Sequence, residues 1–477
     1  MANNPEQIPI GKRIITSMLN FGMANVMTKI IGFLLIPLYT NYLTPEDYGI
    51  TELCGSLAAF SIIFMRLGVP GSVNRFYYDF KDEENKLNDY ITTIHHLLVI
   101  SSIVVGIAIG IISYLFSSIL LSGVLFFPFI VLVLINSGFS ANSDLQKRIL
   151  QSKEKSAYMA KLNIALALIG ILLTIFFVVF LKLGALGLIL SQTCTTLIFF
   201  IQSQYYLRNY IKGKFNLTML KDSLKYGVGL LPHHLFAALA PLLSKGILNS
   251  RDSLAALGIF SLALRFIQPL DIIYNIFNQS FNPIYFSLRK KDDSVQIKKV
   301  YLVVWVSAIL IFMITVLLLP TLVPLITPIR FHKSAELIPI LALGFIGQVA
   351  YMLFLQESYY DKNTKSVSLI TGSGLAVNLI VTIVGVNQFG VYAIAWAYSA
   401  GFLTWAIVSY LLSKKHFLNY IKIEHILIGL IAVFITYFLS VYIDLNNLIY
   451  RLVVLFIGFL LFYFLYKLNH NKKSNGL

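Results

Sequence analysis

Charged side chains and cysteines are both scarce in this chain. Of its 477 residues 12% are charged, and 2 are cysteines, whereas soluble domains carry roughly 25% charged residues. So few charges would leave too little polar surface for a chain of this length folded as soluble domains. Cys54 and Cys194 both fall within apolar stretches. They therefore indicate neither a disulfide framework nor a metal site.

The sequence also lacks long polar segments and a nucleotide-binding motif. No GxxxxGK[ST] pattern is present, so we expect no ATPase within this chain. A membrane-embedded glycan polymerase or ligase would present catalytic carboxylates or arginines in long outer loops, and the predicted outer loops are short. We therefore predict that the protein is not an enzyme and has no catalytic residue, cofactor or metal site.

Apolar segments of transmembrane length recur from one end of the chain to the other. Hydrophobic residues make up 57% of the sequence, and about 20 apolar residues suffice for a helix to cross a bilayer core. The segments lack the alternation of a transmembrane β-strand. The sequence therefore predicts an all-α integral membrane protein with about 14 transmembrane helices. The predicted spans are about 15–38, 48–67, 92–114, 122–142, 158–181, 185–206, 227–249, 256–279, 301–320, 336–357, 367–386, 390–411, 424–443 and 448–466.

The distribution of lysine and arginine predicts the orientation in the membrane. The net charge of +16 would suggest a nucleic-acid partner in a soluble protein, but these residues lie between the spans. Every second loop carries a cluster of them, and the positive-inside rule places such loops in the cytoplasm. We therefore expect both termini to be cytoplasmic, and no nucleic acid as a partner. The clusters include Lys147, Arg148, Lys153 and Lys155; Arg208, Lys212, Lys214 and Lys221; and Arg289, Lys290, Lys291, Lys298 and Lys299.

An internal duplication divides the chain into two similar halves. Short matches recur in the same order at spacings of 205 to 210 residues, among them LGALGL (183–188) with FGVYAI (389–394). Each repeat holds six spans, and an even number makes the repeats parallel. The predicted domains are a six-helix bundle at 1–225, a second at 226–420, and two additional helices with a cytoplasmic tail at 421–477. Pseudo-symmetric bundles around a central cavity are typical of transporters.

Polar residues occur at helical spacing within several apolar spans, which marks faces that do not meet lipid. Lys29 and Arg265 lie near mid-depth, where a charge costs about 2.5–3.5 kcal/mol. The 205-residue spacing aligns Lys29 with His234, so basic groups are expected on both walls of the cavity, where they would attract an anion. The remaining predicted cavity residues are Asn25, Glu52, Arg66, Lys245, Gln268, Asp271, Asn275 and Gln279.

Four of these residues can also be interpreted as purely structural. Arg66 and Lys245 lie near span ends, where their long side chains can reach the headgroups. Glu52 can be a first-turn residue that interacts with the helix dipole. His234 can be a core histidine with a satisfied hydrogen bond. We interpret Glu52 and Asp271 alternatively as ion-coupling carboxylates.

Four segments resemble a known family of membrane proteins. IIGFLLIPLYTNYLTPEDYGI (30–50) and RLGVPGSVNRFYYD (66–79) are similar to the opening of polysaccharide-biosynthesis export proteins. SAELIPILALGFIG (334–347) and AVNLIVTIVGVNQFGVYAIAWAYS (376–399) resemble signatures of that family's second half. These are the Wzx-type flippases for lipid-linked oligosaccharides. Their MOP superfamily includes the multidrug and toxin extruders (MATE) and the lipid II flippases.

The resemblance implies a V-shaped pair of six-helix bundles that works by alternating access in the bacterial inner membrane. The implied substrate is an undecaprenyl-pyrophosphate-linked glycan, such as an O-antigen, capsule or exopolysaccharide repeat unit. The family's basic residues on spans 1, 2 and 8 correspond here to Lys29, Arg66 and Arg265. Implied partners are membrane lipids and polysaccharide polymerase machinery. The alternatives are a MATE-type cation or drug antiporter, which needs an embedded carboxylate, and a lipid II-type flippase.

Overall fold

The computed structural model describes residues 32–116, 121–228, 231–360, 364–417, 423–442 and 450–456. Within these ranges the chain is helical and contains no strand. Asn25 and Lys29 lie outside the described residues. The helices are α1 (Ile36–Tyr42), α2 (Pro45–Arg66), α3 (Val69–Phe80), α4 (Glu84–Leu115), α5 (Val131–Ser152), α6 (Ser156–Thr174), α7 (Gly184–Leu207), α8 (Leu217–Val228), α9 (Leu231–Arg251), α10 (Leu254–Lys290), α11 (Ser294–Ile326), α12 (Ser334–Tyr360), α13 (Thr364–Phe389), α14 (Val391–Phe417) and α15 (Ile423–Tyr442).

The helices have the length and surface of membrane-spanning segments. Within the described part of the chain, 11 of them are long and apolar enough to cross a bilayer. On α4 the side chains of Ile100, Ile103, Ile107 and Ile111 are each more than half exposed. Their spacing of three or four residues forms one apolar stripe, as expected for a lipid-facing surface. The all-α integral membrane class is therefore confirmed, while the count of 14 stays a prediction.

The first compact unit, Met1–Ser250, is organised around α5. Helices α2, α4 and α7 all pack against α5. Tyr90 and Ile91 of α4, with Leu145 and Ile149 of α5, belong to a buried apolar cluster that also includes Leu207 of α7. This cluster fixes one end of the helices relative to one another, because close-packed interiors resist displacement.

The second compact unit, Arg251–Leu477, is organised around α12. In one 18-residue stretch of the span that contains α12, 94% of the residues are buried, and α10, α11 and α14 pack against this helix. The hydroxyl of Ser399 on α14 donates to the Ile340 carbonyl oxygen at 2.6 Å. Helix α15 packs against α11. Burial rather than polarity therefore distinguishes α12 from the lipid-exposed helices of its unit.

Arg451 is a charged residue in the interior of the second unit. Its side chain is fully buried in the second unit. Its guanidinium donates to the carbonyl oxygens of Leu317 at 3.0 Å and Ser440 at 3.4 Å. Leu317 precedes Pro320 within α11, where the missing backbone donor disturbs the helical hydrogen bonds. The arginine thus ties segment 450–456 to α11 and α15.

The division into compact units does not coincide with the predicted division at 225 and 226. Along the chain, the first unit ends at Ser250 and the second begins at Arg251, so α9 belongs to the first unit up to Ser250. This grouping reflects packing, whereas the predicted domains reflect the sequence duplication. The boundaries 1–225, 226–420 and 421–477 stay a prediction.

Candidate functional site in the first helical unit

The start of α2 is fixed by the sequence TPED. The Thr44 hydroxyl accepts a hydrogen bond from the Asp47 backbone amide at 3.2 Å, and Asp47 accepts from the Thr44 amide at 2.9 Å. This reciprocal capping box, with Pro45 at the first helical position, defines where the helix begins. Glu52 follows seven residues after Pro45, which places it about 10 Å along the helix. It therefore lies beyond the first turn, where the helix-dipole interpretation no longer applies.

An ion pair joins α2 to α9 within the first unit. The ammonium of Lys245 contacts the Glu52 carboxylate and donates to the Ser56 hydroxyl at 3.1 Å. The Lys245 side chain is 11% exposed and that of Glu52 is 23% exposed. A lysine that reached the headgroups would leave its ammonium in the interfacial water. The observed position therefore favours the cavity interpretation of Lys245.

The ion pair lies at one end of a groove between the two helices. The groove has a volume of about 440 Å³ and is lined by two faces at helical spacing. On α2 the lining continues from Glu52 and Ser56 through Gly55 and Ala59 to Ile63, and on α9 it comprises Ala238, Pro241 and Lys245. The groove is thus polar at the ion pair and apolar beyond it. Such a gradient suits an amphiphile with a charged head.

The chemistry available in this groove is that of one cation and one carboxylate. An ammonium acts as a point charge for phosphate groups, and the carboxylate can take up a proton or hold a cation. No group of three or more His, Cys, Asp or Glu side chains among the described residues is placed to hold a metal ion. The site is therefore suited to binding and exchange of ions.

Arg66 lies at the opposite end of α2 from Glu52. A separation of 14 positions corresponds to about 21 Å of helix. Its guanidinium is 3.8 Å from the Asp144 carboxylate and 3.5 Å from the Ser140 carbonyl oxygen. Asp144 also accepts from Arg148 at 3.2 Å. Two guanidinium groups thus share one buried carboxylate, which leaves this cluster with a net positive charge.

The other predicted site residues fall into two groups. Helix α9 includes His234, whose side chain lies outside the described residues. Five lie on α10 in the second unit: Arg265 and Asp271 are half-buried, while Gln268, Asn275 and Gln279 are exposed. The Asn275 amide donates to the Asp271 carbonyl oxygen at 2.7 Å. Within the first unit, the structure brings together Glu52, Ser56 and Lys245, but not Arg66.

The sequence analysis did not predict the ion-pair partners of Lys245 and Arg66. Glu52 and Lys245 have opposite charges and lie at similar distances from the ends of predicted spans 2 and 7, and this matched depth could have indicated the pair. Asp144 interrupts the apolar and basic stretch around it and precedes Arg148 by four residues, the spacing of helical ion pairs. Its contact with Arg66 has no comparable local signal.

A known protein family matches more than half of the chain. Residues 17–288 match the family model described as polysaccharide biosynthesis protein. The chain belongs to this family. No curated protein matches the sequence. The family match covers the whole of the groove between α2 and α9, including the Glu52–Lys245 pair, as well as Arg66 and Asp144.

Solved structures with a similar fold are transporters and flippases. The inward closed conformation of the lipid II flippase MurJ has a TM-score of 0.68 and 16% identity over 94% of this chain and 99% of that one. An inward-facing multidrug resistance MATE transporter of the MOP superfamily has a TM-score of 0.63 and 13% identity over 85% and 97%. A MOP transporter from Pyrococcus furiosus has a TM-score of 0.56 and 14% identity over 85% and 95%. The fold is therefore that of MOP-superfamily transporters.

Proposed function

We propose that the protein is a flippase for undecaprenyl-pyrophosphate-linked oligosaccharide. It turns the lipid-linked repeat unit from the cytoplasmic to the outer leaflet of the bacterial inner membrane by alternating access. Both of its termini are cytoplasmic in this proposal. Membrane lipids and polysaccharide polymerase machinery are its other partners. Family membership over 17–288 and the MOP-type fold support this class of function.

The observation that carries the proposal is the buried ammonium of Lys245 in a groove that is otherwise largely apolar. An isolated cation in such surroundings would be costly; here Glu52 is its counter-ion, and an anionic substrate group can take the place of that carboxylate. The apolar lining beyond it, from Gly55 to Ile63, offers a surface to a prenyl chain. In this proposal Lys245, Arg66, Lys29, Arg265 and His234 attract the pyrophosphate, which binds at Lys245. Asn25, Gln268, Asn275 and Gln279 provide polar lining.

Transport can be tested with the purified full chain in proteoliposomes. The substrate is undecaprenyl-pyrophosphate-linked oligosaccharide with a fluorescent sugar, and accessibility of the sugar to an external quencher reports its leaflet. We expect exchange between leaflets to require the protein and to fall strongly in Lys245→Gln and Arg265→Ala, with part of the rate retained in Arg265→Lys because lysine keeps the charge. Equal rates with and without protein would contradict the proposal.

A cation antiporter is the second candidate, and the observation that favours it is Glu52 in the same groove. An embedded carboxylate can bind a cationic drug or exchange a proton against it, and Asp271 on α10 offers a second one. Efflux of ethidium from the same proteoliposomes under a proton gradient tests this function. Ethidium efflux that is lost in Glu52→Gln, without movement of lipid-linked glycan, would establish the antiporter. Lipid II in place of the oligosaccharide carrier tests the third alternative.

A further inference from the structure

Helix α6 belongs to the least buried span of the first unit. In one 18-residue stretch of the span Ser156–Phe180, 11% of the residues are buried, the smallest share among the 11 described spans. Ile164, Leu168 and Leu172 recur every four residues along α6, and each side chain is more than a third exposed. They form one apolar stripe, as a surface in contact with lipid requires.

Two hydrogen bonds set α6 and α7 side by side. The Thr174 hydroxyl donates to the Ser191 hydroxyl at 2.9 Å, and the Gln202 amide donates to the Tyr158 hydroxyl at 3.3 Å. The late part of α6 thus meets the early part of α7, and the early part of α6 meets the late part of α7. The two helices are therefore antiparallel, and Lys161, in the second turn of α6, is level with the last two turns of α7.

The exposed stripe of α7 ends at a guanidinium group. Ile198, Ile201 and Tyr205 follow one another at three- and four-residue spacing, and each is more than a third exposed. Arg208 directly follows α7, and its guanidinium carbon lies 3.8 Å from the centre of the Tyr205 ring. This cation–π contact turns the charge back along the helix toward the level of Lys161. Two exposed cations, Lys161 and Arg208, thus stand at the same end of two neighbouring apolar stripes.

The chain on either side of these two cations carries an excess of positive charge. Segments 153–161 and 205–214 contain six lysine or arginine residues and one acidic residue, Glu154. The carboxylate of Asp89 accepts a hydrogen bond from the Lys214 backbone amide at 2.6 Å, which fixes the basic loop after α7 against α4. Basic residues clustered at one end of membrane helices attract anionic headgroups. The α6–α7 surface therefore combines positive charge at one end with apolar stripes along its length.

We propose that this α6–α7 surface binds an anionic glycerophospholipid. The phosphate lies between the Lys161 ammonium and the Arg208 guanidinium, which holds phosphate oxygens through paired donors. The acyl chains lie along the two stripes, beside Leu168 of α6 and Ile201 of α7. Tyr205 is a positioning residue, because its ring holds the guanidinium at this depth. The inference goes beyond the proposed transport and holds whatever substrate the protein carries.

Two other occupants fit this surface less well. A second copy of the chain that used the same face in a two-fold contact would bring Lys161 and Arg208 up against their own counterparts, because such contacts pair a surface with itself. Like charges would then meet at the same depth in the membrane, which is unfavourable. An uncharged or zwitterionic lipid would fill the apolar stripes but would bring no net charge to the two cations.

Lipid binding to the purified full chain tests the proposal. Native mass spectrometry in detergent counts the bound lipids and gives Kd values for phosphatidylglycerol and phosphatidylcholine with identical acyl chains. Each basic residue near a membrane surface contributes about fivefold to the binding of an anionic lipid. We therefore expect phosphatidylglycerol to bind about 25-fold more tightly than phosphatidylcholine. Lys161→Gln and Arg208→Gln should each weaken phosphatidylglycerol binding about fivefold and leave phosphatidylcholine binding unchanged.

Control variants separate the two cations from other charges and from the fold. Lys182→Gln removes an exposed lysine beyond the opposite end of α6, and we expect it to keep the wild-type Kd for phosphatidylglycerol. Tyr205→Leu should weaken binding of that lipid about two- to fivefold in the wild type. Added to Arg208→Gln it should have no further effect, since the ring acts through the guanidinium, whereas a merely structural role would give the same loss in both backgrounds. Far-UV circular dichroism verifies the folding of each variant.

The outcomes that would overturn this proposal differ from those that would overturn the proposed function. Equal Kd values for the two lipids, or an unchanged Kd for phosphatidylglycerol in the Lys161→Gln, Arg208→Gln double variant, would show that these cations bind no headgroup. A dimer that forms without lipid and blocks phosphatidylglycerol binding would make the surface an interface between two copies. Displacement of phosphatidylglycerol by an equal amount of farnesyl pyrophosphate would assign the surface to a prenyl pyrophosphate. Absence of transport with intact phosphatidylglycerol binding would contradict the proposed function alone.

Discussion

Gly184 in the first unit and Gly390 in the second have nearly the same left-handed backbone, with φ of 57° and 52°. Each lies against an aspartate: a Cβ added at Gly184 would be 2.7 Å from Oδ1 of Asp47, and one at Gly390 would be 2.7 Å from Oδ2 of Asp252. The aspartates are 205 residues apart (252 − 47) and the glycines 206 (390 − 184). The two units thus contain the same junction at the spacing of the sequence duplication, which supports the duplication.

Substitution of either glycine should destabilise its unit. In Gly184→Ala and Gly390→Ala the new Cβ would meet a carboxylate oxygen, and the positive φ costs about 1–2 kcal/mol for a residue with a side chain. We expect each variant to lower the midpoint of thermal unfolding in detergent. Gly32→Ala is the control, because a Cβ at Gly32 meets nothing within 4 Å. A wild-type midpoint of thermal unfolding in both Gly184→Ala and Gly390→Ala would contradict this account.

Much of the helical fold could be predicted from the sequence because the signals that specify it are local. The predicted span 424–443 corresponds to α15 (Ile423–Tyr442), and the predicted span 48–67 to α2 (Pro45–Arg66). Apolar length determines the existence of a membrane helix. The start of α2 depends on Thr44 and Asp47, whose capping signal extends over four residues. Burial of α12 had no such signal, because neighbouring apolar helices look alike whether they face lipid or protein.

The candidate site could be predicted residue by residue but not as a set of contacts. Polar residues at helical spacing identified Glu52 and Lys245 separately. Their pairing is a side-chain contact between α9 and α2, across 193 residues of sequence. The role of Arg451 was missed for the same reason, since the Leu317 carbonyl oxygen that it contacts belongs to a helix far away in sequence. The Glu52–Lys245 contact and the Arg451–Leu317 contact both depend on long-range packing, which has no local signal in the sequence.

The Glu52–Lys245 pair should contribute to stability mainly through the cost of leaving one partner alone. Removal of one member of a buried ion pair costs about 3–5 kcal/mol, whereas replacement of both by neutral groups is often tolerated. We expect Lys245→Met to be clearly less stable than wild type. The double variant Glu52→Gln, Lys245→Met should recover much of the loss. Chemical or thermal unfolding of the four proteins forms the required double-mutant cycle.

Additive effects in that cycle would contradict a direct contact between the two side chains. The exposed pair of Arg75 and Asp79 on α3, which has side-chain exposures of 57% and 40%, supplies a comparison. Its own cycle should give an interaction of no more than about 1 kcal/mol, because surface ion pairs are screened by water.

The orientation of the helices can be tested by labelling single cysteines in intact cells. The background protein has both natural cysteines, Cys54 and Cys194, replaced by serine. Ser250→Cys and Lys290→Cys introduce thiols at exposed positions near the two ends of α10. An impermeant maleimide added from outside should label the first and not the second, because the lysine cluster around Lys290 favours the cytoplasm. The reverse pattern would contradict the proposed topology.

The cluster around Asp144 should depend on the balance of its charges. Asp144 is the buried carboxylate that both Arg66 and Arg148 contact. In Asp144→Asn the two guanidinium groups would lose their shared counter-charge and repel each other, and a lost hydrogen bond to a charged group costs about 1.5–3 kcal/mol. We expect reduced stability and reduced movement of lipid-linked glycan in proteoliposomes.

A second substitution distinguishes charge balance from a loss of shape at this position. Arg148→Gln added to Asp144→Asn removes one of the two cations, so the double variant should regain stability relative to Asp144→Asn alone. The matched control is Asp79→Asn, which removes the carboxylate of the exposed Arg75–Asp79 pair on α3 and should change stability by less than about 1 kcal/mol. If Arg148→Gln instead lowered the stability of Asp144→Asn further, repulsion between Arg66 and Arg148 would be ruled out as the cause of the loss. The cluster would then owe its stability to packing around these side chains.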